Sequence, residues 1–148
     1  MKKFKFRLEK VLEYYQEQEN VFKQQLAELE KRLLKEKKHL NFLYKEHKNM
    51  LVSREQEQQK TIDLTQLAIL EPYHVYLHKQ INHQEEVIFE LTQKTEEAKE
   101  KTRKAMQDRK TLEALKDNDY VEHAQKINSM ESKLIDEVMI GNYIRNIS

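Results

Sequence analysis

The sequence predicts an all-α fold: two long helices in an antiparallel coiled-coil hairpin, the second helix longer than the first. Three observations predict it. The chain has 148 residues but one Gly and one Pro, and a compact domain of that length turns often and draws on both. Charged residues make up 36% of it, more than a broad core leaves room for. Apolar residues recur at alternating steps of four and three, the coiled-coil period. One breaker zone near the middle interrupts the repeat, so helix two folds back over the apolar stripe of helix one. Residues 1–148 read as a single hairpin.

Helix one is expected over about residues 3–59. Its seam runs through Phe4, Leu8, Val11, Tyr15, Gln18, Phe22, Leu26, Leu29, Leu33, Glu36, Leu40, Leu43, His47 and Met50. Between Gln18 and Leu29 the steps read four, four, three, a stutter that locally relaxes a left-handed supercoil. The polar seam positions Gln18, Glu36 and His47 lower stability and fix register. Phe6 lies off the Leu8–Val11 face and is expected to stay open to a partner.

The bend is expected over about residues 60–72. The run from Glu55 to Lys60 is all Glu, Gln and Lys, so the seam ends there. Asp63 with Gln66 three residues on reads as a capping box, with Thr61 and Thr65 as competing caps. Pro72 fits the first turn of a helix but removes a hydrogen bond deeper inside one. Either helix two begins near Glu71, or a short helix from about Thr65 kinks at Pro72. Leu64, Leu67, Ile69 and Leu70 favour the second.

Helix two is expected to reach about Ile140, with Gly141-Asn142 as its stop and a short frayed tail after it. Its seam passes through Tyr73, Leu77, Ile81, Gln84, Ile88, Leu91, Thr95, Ala98, Thr102, Ala105, Leu112 and Leu115. A bend centred near residues 62–65 sets Leu43 against Ile81 to Gln84, and Leu8 against Lys116 to Val121. Helix two then outruns helix one. The segment from Lys116 to Asp119 is polar all round. After it an apolar stripe returns at Ile127, Met130, Leu134 and Val138, flanked by Ile135 and Met139. Nothing in the hairpin covers that stripe, so it is expected to enter a partner.

Composition narrows the function. There are 27 basic and 26 acidic side chains, without the basic excess that nucleic-acid or anionic-membrane binding draws on. The run from Lys99 to Lys110 is broken by Glu100 and Asp108 and reads as a solvated face. The absence of Cys excludes disulfides, thiolate metal sites and a cysteine nucleophile, and fits a reducing compartment. Met1-Lys2-Lys3 is basic, but Lys5, Arg7, Glu9 and Lys10 break any signal-like apolar core. No window approaches the roughly 18–20 apolar residues of a membrane span, so a cytosolic protein is expected. Glu71, His74 and His78 share a helix face at a spacing zinc sites use. Without a third strong ligand, no metal is expected there. The single Gly leaves no phosphate-cradling loop, and two paired helices offer no desolvated pocket for acid–base work. No enzyme activity and no cofactor are expected.

Four segments, in order, carry a resemblance to a known family. They are Phe4-Lys5-Phe6-Arg7-Leu8-Glu9-Lys10-Val11-Leu12 and the spaced set Tyr73, Leu77, Ile81, Gln84. Then come Arg109-Lys110-Thr111-Leu112-Glu113-Ala114-Leu115-Lys116 and Met130-Glu131-Ser132-Lys133-Leu134-Ile135-Asp136-Glu137. With the length and the two-helix plan, they resemble the flagellar FliJ family of the type III export apparatus. The resemblance covers nearly the whole chain. It implies an antiparallel coiled coil similar to the γ subunit of rotary ATP synthases, a monomer when free. The implied partners are the hexameric flagellar export ATPase, the linker and cytoplasmic domain of the export gate membrane protein, and export chaperones. The implied place is the cytoplasmic face of the cell membrane, without insertion. Carried over by position, Phe6, Leu8, Val11, Glu131, Lys133, Leu134, Asp136 and Glu137 would face the ATPase. Leu43, Met50, Tyr73, Leu77 and Gln84 would face the gate; Glu46 and Met50 stand where the family often has Tyr. Two other readings stay open: a structural coiled coil that pairs its seam between chains, and the equivalent stalk of an injectisome or a vacuolar-type ATPase.

Overall fold

The computed structural model describes residues 3–59 and 64–147. They form two α-helices, α1 (Glu9–Gln59) and α2 (Leu64–Ile147), of 51 and 84 residues, and no strand. The fold is all-α, a two-helix hairpin whose second helix is the longer. The chain divides into two compact units. One is Met1–Asn20 with Arg103–Ser148; the other is Val21–Thr102.

Helix α1 begins six residues later than expected. Residues 3–6 are not helical. The Glu9 amide donates to the Phe6 carbonyl at 3.2 Å, and the Leu12 amide opens the helical pattern by donating to Leu8 at 2.9 Å. Glu9 stands in the first turn, where a carboxylate suits the helix dipole. Freed from the helix, Phe6 turns inward and is 7% exposed. The expectation that it stays open to a partner is therefore corrected: it closes the first unit.

The seam of α1 is regular. From Leu12 a row of covered positions, Tyr15, Glu19, Phe22, Leu26, Leu29, Leu33, Glu36, Leu40, Leu43, His47 and Met50, keeps steps of three and four, with Gln18, Glu46 and Arg54 half-buried beside it. Leu12 is 2% exposed and Val11 41%, so the seam uses Leu12 and Glu19 where Val11 and Gln18 were expected. The expected stutter is absent, because it arose from choosing the neighbouring residue at both places. Leu12→Ala should therefore cost about 2–4 kcal/mol, and Val11→Ala under about 1 kcal/mol, in urea unfolding of the two variants. Equal costs would contradict this register.

Helix α2 runs without a break through Pro72. Residues 64–72, read as a bend with a short helix from about Thr65, are helical. Pro72 gives no amide bond to the carbonyl of Ala68, and Ala68 is exposed, so water can take that place. The caps expected at Thr61 and Asp63 lie outside the described residues. At the other end the helix passes Gly141 and continues to Ile147. A glycine stop needs a left-handed residue, and no described residue has positive φ. The expected stop at Gly141 and the frayed tail are corrected accordingly.

One row of covered positions on α2, Leu70, His74, Leu77, Ile81, Gln84, Ile88, Leu91, Thr95, Ala98, Thr102, Ala105, Arg109, Leu112, Lys116, Asp119 and His123, again runs in steps of four and three. His74 and Lys116 replace the expected Tyr73 and Leu115, which are exposed. Thr95 and Thr102 are tolerated in the seam because each hydroxyl donates to a carbonyl one turn back, Leu91 and Ala98, at 2.7 Å. That satisfies a buried donor without a partner helix.

Candidate partner-binding surfaces

In the second unit, Leu43, Met50, Leu77 and Ile81 form the apolar core, with Leu40 and Leu70 packed against it. The packing of Leu43 with Ile81 is the expected register. Three of the five candidate gate-facing residues are thus in the core. Gln84 is a fourth buried residue. Its side-chain amide donates to the Glu36 carbonyl at 3.0 Å and to Glu36 Oε2 at 2.5 Å, so two polar seam residues satisfy each other across the helices.

Tyr73 alone of the five is exposed, at 41%. Its hydroxyl donates to Glu46 Oε2 at 3.5 Å, and its ring stacks on Tyr76 with centres 6.5 Å apart. Tyr76 was not singled out in the sequence. The signal was there: it lies one helical turn from Tyr73, off the seam. On α1, Tyr44 donates to Glu85 Oε1 at 2.5 Å. That hydrogen bond, then burial and the carboxylate charge, hold the Tyr44 phenol above its ordinary value.

In the first unit ion pairs join the helices alongside apolar contacts. Glu19 is 3% exposed and receives the Arg109 guanidinium, which also binds Glu113 at 2.8 Å. The hydrogen bond to Glu19 first, then the one to Glu113, raise the Arg109 pKa and keep it cationic. Lys116 Nζ lies 2.8 Å from Glu9, which sets the start of α1 beside Lys116 as expected. Phe4 packs edge-on against Tyr120 at 5.4 Å and tilted against His123 at 5.5 Å. An open groove follows, lined by Lys3, Phe4, Tyr120, His123, Ala124 and Ile127.

The candidate ATPase-facing residues therefore fall at two levels. Phe6 is buried, Leu8 half-buried and Val11 exposed, level with the stretch from Lys116 to His123. Glu131 comes two helical turns after His123, about 12 Å further along. Glu131 is half-buried, while Lys133, Leu134, Asp136 and Glu137 are exposed. Past Ile127 the helix shows Met130, Leu134, Ile135, Val138, Met139, Ile140, Tyr143 and Ile144 to solvent, each between 59% and 68% exposed. Ile140, Tyr143 and Ile144 were not singled out, because Gly141 read as the end of the helix. Continuous exposed apolar side chains on this scale mark an interaction surface.

Sequence comparison adds the decisive observation: residues 4–148 match the family described as "Flagellar FliJ protein". The chain belongs to the FliJ family. It is a component associated with flagellar protein export and flagellum biogenesis. No curated protein and no solved structure matches the chain. No helix among the described residues of this FliJ-family chain is long and apolar enough to cross a membrane. Among the same residues, no three His, Asp or Glu side chains stand ready to hold a metal ion.

Proposed function

We propose that this FliJ-family chain is a non-enzymatic stalk that links the hexameric flagellar export ATPase to the export gate membrane protein. The observation that carries it is the exposed apolar stretch from Met130 to Ile144, on a chain whose seam is otherwise filled by its own two helices. The proposed ATPase-facing surface is centred on Leu134, with Val11, Lys133, Asp136 and Glu137 beside it or at its base. Phe6 and Leu8 act indirectly, by closing the unit from which this stretch projects. The proposed gate-facing surface is centred on Tyr73, with Tyr76 and Glu46. Leu43, Met50, Leu77 and Gln84 support that surface from beneath. The chain works at the cytoplasmic face of the membrane, and export chaperones are a further class of partner. The seam closes within one chain, which favours the stalk over a coiled coil paired between chains. Family membership favours a flagellar system over an injectisome or a vacuolar-type ATPase.

Capture by the cognate export ATPase tests this reading. The wild type should be retained, and a Leu134→Asp/Val138→Asp variant should lose at least tenfold in retention. Both side chains are exposed, so helicity should be unchanged. A wild type retained no better than on bait-free resin refutes the proposal.

A further inference from the structure

The sequence sets Glu71, His74 and His78 on one helix face but offers no third strong ligand among them. The fold brings one further imidazole, His47, from the other helix. His47 and His74 both occupy seam positions, and their rings face each other across α1 and α2 with centres 5.4 Å apart. His78 stacks on His74 with centres 6.5 Å apart. The layers on either side are apolar, built from Leu43, Met50, Leu70 and Leu77. In that setting His74 Nδ1 is buried and has no hydrogen-bond partner, a state that ordinarily calls for an explanation.

We propose that His47 and His74 form a site for one borderline divalent cation, of the zinc or nickel class, bridging the two helices. The separation fits. Imidazole nitrogens bind zinc at about 2.0–2.1 Å, which puts two rings at a tetrahedral angle about 5.2 Å apart, centre to centre. Neutral imidazole suits these cations better than it suits magnesium or calcium. Glu71 is not a ligand, because Arg54 holds its carboxylate at 2.5 Å. Water completes the coordination sphere. A cation here ties residue 47 to residue 74 and so closes the end of the hairpin next to the bend. It binds the folded chain and not the unfolded one, which raises apparent stability by mass action.

Calorimetric titration of the full-length, chelator-treated protein with zinc chloride, and separately nickel chloride, tests the site. Thermal melts with and without the metal accompany it. One equivalent should bind, and the melting midpoint should rise by several degrees and fall back with EDTA. His47→Leu and His74→Leu should each weaken binding at least tenfold. Both are seam positions that accept an apolar residue, so a circular dichroism spectrum like that of the wild type should accompany the loss. His39→Gln and His83→Gln, at exposed positions, should bind as the wild type does. Two results overturn the site: no stoichiometric binding by the wild type, or His47→Leu binding as tightly as His83→Gln. The second outcome would mean that scattered surface imidazoles take up the metal.

Discussion

Replacing Arg109 with Met should lower the midpoint of thermal unfolding by roughly 5–10 °C, because it takes the guanidinium away from a buried charge. The charge in question is Glu19, a carboxylate only 3% exposed in the seam of the first unit. Met fills much of the volume of the Arg stem, so the loss comes from the guanidinium and not from a cavity. Arg109→Lys should recover only part of it. Arg109 reaches Glu19 and Glu113 at once through separate nitrogens, and an ammonium lacks that planar fork. The paired change Glu19→Leu/Arg109→Leu should melt near the wild type or above it, since apolar residues can replace a buried pair without loss. The pair then contributes alignment more than net stability. If Arg109→Met melts within 2 °C of the wild type, the buried pair is not holding this unit together.

The same pair shows what apolar spacing reveals and what it hides. The hairpin, its register and the small seam residues of α2 were legible, because Leu43, Ile81, Leu91 and Ala105 recur at the coiled-coil period. Glu19 and Arg109 were not. A charged residue satisfied across a seam looks like a solvated one, and Gln18 beside Glu19 was the milder choice. The strict spacing back from Phe22 lands on Glu19 and Leu12, so a reading that trusted period over polarity would have found both. Phe6 was misplaced for another reason. The helical pattern was carried six residues too far toward the start, and outside the helix Phe6 packs inward as well as Phe4. Gly141 was read as a stop because Gly is favoured just past the end of a helix. A helical glycine lowers stability but does not end a helix, and a stop depends on backbone conformation that residue type alone does not give.

Leu77→Ala should destabilise the chain by about 2–4 kcal/mol, and Tyr73→Ala by less than about 1 kcal/mol, in equilibrium denaturation. Leu77 is 2% exposed and sits in the core of the second unit with Leu43, Met50 and Ile81. Shortening it removes buried methyl groups from a thin layer that has little else to close the gap. Tyr73 lies half in solvent, and its hydrogen bond to Glu46 is long and exposed, so its loss should hardly be felt. The contrast bears on function. On the proposed stalk reading, both residues belong to the gate-facing surface by position, yet only Tyr73 can reach a partner. Tyr73→Ala and Tyr76→Ala should therefore weaken capture by the gate's cytoplasmic domain while leaving the denaturation midpoint unchanged. Leu77→Ala should weaken capture only as far as it unfolds the second unit, and added osmolyte should restore it. If Leu77→Ala abolishes capture at full stability, the side chain reaches the partner directly and the second unit must open to present it.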